Sequence, residues 1–192
     1  MESIKLFIQK YVSLSEKDWL KIGPCFSKKT LSTESTLLQE GKICRHLYFL
    51  ESGLLRYSFL NNGEEVTKFF TEPPYMFTSQ QSLNFQTPAR ESIIAVEEST
   101  VWQMGRDDAF RLLELKPWSE FIRLLVQEVQ YLTEEIMAEQ KVETAENRYR
   151  KMLLENPAII QKIPLKHLAS FLGIAPQSLS RIRKNIFSQS LV

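Results

Sequence analysis

The stretch Ile163-Pro-Leu-Lys-His-Leu-Ala-Ser-Phe-Leu-Gly-Ile-Ala-Pro-Gln-Ser-Leu-Ser-Arg-Ile-Arg-Lys184 decides how the rest of the chain is read. Ala169 is small enough for two helices to approach each other closely. Gly173, four residues on, supplies the left-handed backbone of a tight turn. Leu179, six residues further, plugs the angle between the helices, and Leu168, Leu172, Ile174 and Ile182 complete an inner apolar face. This is helix-turn-helix spacing, in which the second helix lies in the major groove of DNA. Gln177, Arg181 and Lys184 fall at i, i+4 and i+7 on the outer stripe of that helix. Glutamine pairs with adenine edges and arginine with guanine edges through two hydrogen bonds each. Ser178 and Ser180 are short enough to meet phosphate. Pro176 presets the φ of a first helical turn. Ala175 stands where Ser or Thr would cap the helix, at a cost of roughly 1 kcal/mol.

Charge points the same way. The net charge of +1 conceals an uneven distribution. Residues 145–192 carry eight Lys or Arg against Glu146 and Glu155, a balance of +6, which leaves −5 on the first 144 residues. A basic tail on an acidic body suits a polyanionic partner, although a solvated helical surface gives the same composition.

Upstream, the period of the apolar residues changes. Residues 3–22 read as short helices, with Ser15 placed to cap the second and Asp18 three residues beyond it. From Leu37 the chain is β-rich: 47–50, 54–59, 66–70, 92–96 and 100–104 are short apolar runs. They are separated by Glu40-Gly41, Ser52-Gly53, Asn61-Asn62-Gly63 and Pro73-Pro74. Asn62-Gly63 is a type I′ hairpin signal, and strands spaced this way predict a small β-barrel or roll. After Gly105, Asp107-Asp108 open a helix through Leu115. Pro117 starts a longer one running from about Trp118 to Glu143. On it Ile122, Leu125, Val129, Leu132 and Ile136 follow at spacings of three, four, three and four, a seam that pairs helices between subunits or packs on the chain's own barrel. Leu124, Val126, Tyr131 and Met137 lie off that stripe and are candidates to cover the barrel. A basic helix, Ala145 to about Glu155, ends at Asn156-Pro157.

Leu168-Ala169, Leu172-Gly173 and Leu179-Ser180-Arg181 resemble the Crp/Fnr family of bacterial transcription regulators, and the resemblance extends over nearly the whole chain. Gly41, Gly53 and Gly63 fall where that family's β-roll turns would be. The resemblance implies an α+β fold with three parts: a double-stranded β-roll sensor with flanking helices over 1–117, a dimerisation helix over 118–143, and a helix-turn-helix DNA-binding domain over 144–192. It implies base reading by Gln177 and Arg181, a homodimer through the long helix, and double-stranded DNA and RNA polymerase as partners.

The sequence departs from the family in three places. Cyclic-nucleotide-binding members carry Gly-Glu and Arg-Ser pairs in a phosphate cassette. Here the region Phe77–Ser92 lacks Gly-Glu, and Arg90 is followed by Glu91, which opposes a phosphate. Where those members place hydroxyls on the long helix, this chain has Thr133-Glu134-Glu135. Cyclic nucleotide is therefore disfavoured, and Gln80, Gln81, Asn84 and Arg90 line either a pocket for another, unidentified small-molecule effector or a surface loop. Cys25 and Cys44 are too few to ligate an iron–sulfur cluster, and no haem ligand is assigned. His46 lies in a strand-like run, and His167 reads as solvent-facing. Only eleven residues follow Arg181, too few for the family's wing.

Other classes are excluded by what is missing. There is no Gly-rich phosphate loop, His-Glu-x-x-His or G-x-S-x-G, so no enzyme is expected. Adjacent acids such as Glu97-Glu98 and Glu134-Glu135 read as solvated faces. No apolar stretch is long enough to span a membrane, and residues 1–12 do not form a secretory signal, so a cytoplasmic protein is expected. The rival is a ligand-binding or protein-interaction module whose helix-turn-helix no longer reads DNA.

Overall fold

The computed structural model describes residues 1–189. Helices α1 (Glu2–Gln9) and α2 (Glu16–Ile22) open the chain. Ser15 caps α2, its Oγ accepting from the Asp18 N–H at 3.1 Å, as the spacing predicts. Eight strands follow: β1 (Phe26–Leu31), β2 (Thr36–Leu38), β3 (His46–Ser52), β4 (Leu55–Asn61), β5 (Glu64–Thr71), β6 (Tyr75–Phe77), β7 (Ser92–Ala95) and β8 (Ser99–Gly105). They form two four-stranded antiparallel sheets, ordered β1-β8-β3-β6 and β2-β7-β4-β5. Apart from the β4–β5 hairpin, each strand passes to the opposite sheet, which is the expected roll. At the hairpin Asn62 and Gly63 have φ of 53° and 84°, the pair of positive values that a type I′ turn demands.

Alternation sorts the side chains of β3. Tyr48 and Leu50 point between the sheets with Leu55, Tyr57, Ile93 and Val101, whereas Leu47 and Phe49 point outward. That outer layer meets Ile4, Phe7 and Ile8 of α1 and the start of the long helix α5 (Lys116–Val142), whose Trp118 and Phe121 are fully buried. Between the roll and α5 the expected single helix is split into α4 (Arg106–Arg111) and a 3₁₀ turn, Leu112–Glu114. A short helix, α3 (Gln80–Phe85), sits where the sequence left a loop or a pocket open.

Trp118, Phe121 and Leu125 anchor α5 to the roll with Ile122 beside them, so the first half of the heptad seam covers the barrel. Val126, Tyr131 and Met137, expected as alternatives for that task, are exposed, and of the off-stripe set only Leu124 packs on this core. They lose because the roll's outer layer meets the side of α5 that bears Trp118 and Phe121, and residues at 3–4 spacing from those two are drawn in.

The remaining helices are α6 (Ala145–Glu155), α7 (Pro157–Lys162), α8 (Leu165–Leu172) and α9 (Pro176–Gln189). The Thr144 Oγ1 caps α6 through the Asn147 N–H at 3.2 Å. These four helices share a core of Tyr149, Ile160, Ile163, Leu168, Ala169, Leu172 and Leu179, into which the roll inserts Leu54 and Phe70. The expectation concerning a wing rests on Leu191-Val192, which lie outside the described residues; up to Gln189 the segment after Arg181 is helical.

Candidate functional site

The helix-turn-helix is built as its sequence requires. Gly173 closes α8 with φ of 71°, and the Ile174 N–H reaches back to the Ala169 carbonyl at 3.0 Å, a left-handed cap of the glycine type. Ala169 and Leu179 are completely buried at the crossing of α8 and α9. Arg148 donates to the Leu172 carbonyl at 2.6 Å, and Arg183 donates to the Tyr149 hydroxyl at 3.1 Å, fastening both helices to α6. With the inner face occupied in this way, Gln177, Ser178, Ser180, Arg181 and Lys184 are all exposed on α9. Ser180 donates to the Pro176 carbonyl at 3.1 Å, and its oxygen can still accept.

A second set of residues, which sequence reasoning missed, joins the helix-turn-helix to the roll. The Thr67 N–H donates to Ser170 Oγ at 2.9 Å, and the Phe70 and Phe171 rings meet edge to face with centroids 5.7 Å apart. Lys162 pairs with Glu97 at 2.8 Å. Behind the contact, Arg56 is buried, with Glu65 at 2.8 Å and Thr67 Oγ1 at 3.3 Å. Burial raises the Glu65 pKa, but hydrogen bonds from Arg56 and Ser58 outweigh it and hold the carboxyl below its usual range. His167 is half-buried here rather than solvent-facing. Burial, then the charges of Arg56 and Lys166, lower its pKa to about 4. The available signal was Arg56 itself, a charge inside the apolar run 54–59.

A cavity of about 570 Å³ lies between the roll, α3, the α4 region and α5. Tyr57, Phe69, Tyr75 and Phe77 form its roll wall, and Val126 and Val129 lie on its α5 wall. Of the four predicted pocket residues, Gln80 and Asn84 line it, whereas Gln81 and Arg90 are exposed and do not. Arg106 holds α3 in place by donating to the Leu83 carbonyl at 2.9 Å. Glu91 accepts from Ser79 at 2.5 Å and lies 3.3 Å from the Lys68 ammonium. Burial raises the Tyr57 pKa well above normal, and Glu91 is among the negative groups adding to the rise. Tyr75 is raised by burial and by Glu128.

Along the predicted seam, Leu125 is buried, Ile122 and Val129 are half-buried, and Leu132 and Ile136 are 44% and 46% exposed. Val126 and Met137 extend the exposed apolar surface. Among the described residues no group of three or more His, Cys, Asp or Glu is placed to hold a metal ion, and no helix is long and apolar enough to cross a membrane.

Residues 28–116 match the family model for the cyclic nucleotide-binding domain. Solved structures resemble the whole chain. A protein from Eubacterium rectale assigned to the Crp/Fnr family of transcriptional regulators is 17% identical, with a TM-score of 0.72 over 92% of this chain and 85% of that one. FixK2 from Bradyrhizobium japonicum is 16% identical, with a TM-score of 0.71 over 86% of each chain. The c-di-GMP-responsive global regulator CLP of Xanthomonas campestris is 13% identical, with a TM-score of 0.68 over 92% of this chain and 94% of that one. No curated protein sequence matches. The chain as a whole has the fold of Crp/Fnr-type regulators, as the sequence resemblance implies.

Proposed function

We propose that this chain is a homodimeric DNA-binding transcription regulator of Crp/Fnr type, responsive to a small effector through its roll and without catalytic activity. The observation that carries the reading is the exposed Gln177, Arg181 and Lys184 stripe on a second helix whose inner face is fully packed. On this reading 1–117 is the sensor, 118–143 the dimer helix and 144–192 the reader. Gln177 and Arg181 meet base edges, Ser178, Ser180 and Lys184 meet or approach phosphates, and RNA polymerase is a further partner. Ile122, Leu125, Val129, Leu132 and Ile136 form the seam, and its overhanging half pairs with a second copy. Pairing sets the separation of two reader helices, which must match half-sites about 34 Å apart. An effector against α5 acts through its differential affinity for the two arrangements.

A cyclic nucleotide does not fit the residues present. Its phosphate needs an unopposed guanidinium and N–H groups. Arg90 is exposed and off the cavity, while Glu91 sits with Ser79 and Lys68. Gel-shift binding at several salt concentrations tests the main reading. Arg181→Ala should weaken binding by roughly 1–3 kcal/mol and relax discrimination at one base position. A module that no longer reads DNA shows no salt-dependent binding for the substitution to weaken.

A further inference from the structure

We infer that the cavity between the roll and α5 takes an uncharged, largely apolar small molecule, an aromatic ring or short hydrocarbon with one polar end; this rests on the regulator reading above and names the ligand class of its sensor. Its volume of about 570 Å³ falls in the range of small-molecule pockets. Among the described residues, none of the eighteen that line it carries a charge. Tyr57 and Phe69 stack with centroids 4.1 Å apart, with Tyr75 and Phe77 beside them on the cavity lining, so the roll wall is aromatic and suits a ring. Besides the tyrosines Tyr57 and Tyr75 of the roll wall, the polar lining residues are Thr78, Gln80 and Asn84, in and just before α3. Thr78 already donates to the His46 carbonyl at 2.9 Å, which leaves the neutral amides of Gln80 and Asn84 to orient one polar group of the ligand.

The charges nearest the roll wall oppose an anion, and the nearby cations are already engaged. Glu91 acts on Tyr57 and Glu128 on Tyr75, Lys68 is paired with Glu91, and Arg106 at the α3 end is turned onto the Leu83 and Asn84 carbonyls and the Phe110 ring. A phosphate would meet carboxylates here, whereas a neutral molecule meets none of that repulsion and gains by apolar burial. The opposite wall makes the site consequential. Val126 and Val129 border the cavity, and Val129 lies at the start of the overhanging part of the seam, so an occupant touches the helix that would pair.

The test uses the full chain and the neutral dye N-phenyl-1-naphthylamine. The expected result is a saturable fluorescence rise with a micromolar Kd that millimolar cyclic AMP does not displace. Asn84→Trp, from an exposed position on the cavity edge, should weaken dye binding at least tenfold. Leu113→Glu, at a half-open lining position, should do the same by placing a charge on the wall. Far-UV circular dichroism checks that each variant is folded. Leu20→Glu, at an exposed apolar position on α2 away from the cavity and the seam, should leave dye binding unchanged, which separates the cavity from adsorption on exposed apolar surface. Absence of saturable binding, equal binding by the two cavity variants, or displacement by cyclic AMP overturns the inference. Salt-dependent, Arg181-dependent DNA binding in the same preparation would show that the regulator reading survives such a failure.

Discussion

The Thr67 backbone N–H donates to Ser170 Oγ at 2.9 Å, joining the open edge of one sheet to the first helix of the helix-turn-helix. β5 is the last strand in the order β2-β7-β4-β5, so its outward N–H groups have no strand to pair with. An unpaired edge invites association with other chains, and α8 covers this one. The same contact fixes how the helix-turn-helix sits on the roll. Ser170→Ala should leave the Thr67 N–H without its acceptor and destabilise the chain by about 1 kcal/mol. Phe171→Ala should add a loss from the Phe70 contact. Urea denaturation would give both values, and limited proteolysis around residues 143–145 should become faster in each variant.

His167 makes this joint sensitive to acid. Its pKa in the folded chain is about 4, below the ordinary histidine value of 6.5, because burial and then Arg56 and Lys166 disfavour the imidazolium. Between those two values the unfolded chain binds the extra proton and the folded chain does not. Stability from this group is therefore complete above pH 6.5 and declines as the pH falls toward 4. The ring is partly open to water, so screening reduces the effect to the order of 1 kcal/mol. Denaturation midpoints measured from pH 7.5 to 4.5 should fall less steeply in His167→Gln than in the parent chain.

The parts of this molecule that were legible in the sequence are those that obey a local rule. Asn62-Gly63 required two positive φ values, Ser15 and Asp18 formed a cap, and Ala169, Gly173 and Leu179 fixed the geometry of the helix-turn-helix. The parts that were not legible depend on distant packing. β1 buries only its first and last residues, so its sequence Phe-Ser-Lys-Lys-Thr-Leu shows no alternation, and it is a strand because β8 pairs with it along its length. β6 is three residues long, too short for any period. The cavity was half legible. Gln80 and Asn84 fall on the side of α3 that lines it, whereas Gln81 and Arg90 were grouped with them by sequence proximity alone. The latch at Ser170 was invisible because a serine in mid-helix carries no periodic signal.

Gly53 is held by both its backbone and its surroundings. Its φ is +99°, and a Cβ there would stand 2.6 Å from Ser99 Cα, a backbone atom that cannot move aside. The adjacent Leu54 N–H donates to Ser99 Oγ at 3.2 Å, so any shift also disturbs the crossing between the sheets. Gly53→Ala should cost about 2–4 kcal/mol. Gly41 also has positive φ but has nothing within 4 Å of its would-be Cβ, so Gly41→Ala should cost less. Thermal unfolding of the two variants side by side would check that order.

The α5 seam gives the sharpest contrast, because one heptad stripe is divided between two tasks. Leu125 is buried against Phe121 and the roll, so Leu125→Ala should remove about 2–5 kcal/mol from the folded subunit whatever its state of association. Ile136, eleven residues further along the same stripe, is 46% exposed in the single chain. Ile136→Glu should therefore leave a subunit's own unfolding almost unchanged. A parallel pairing would place that carboxylate at the interface, opposite its counterpart, and like charges without partners there are costly. Analytical ultracentrifugation should show the parent chain as a dimer and Ile136→Glu as a monomer, with DNA affinity falling because a monomer engages one half-site. If the parent chain sediments as a monomer at all concentrations, the exposed half of the stripe serves some other purpose and the dimer reading fails.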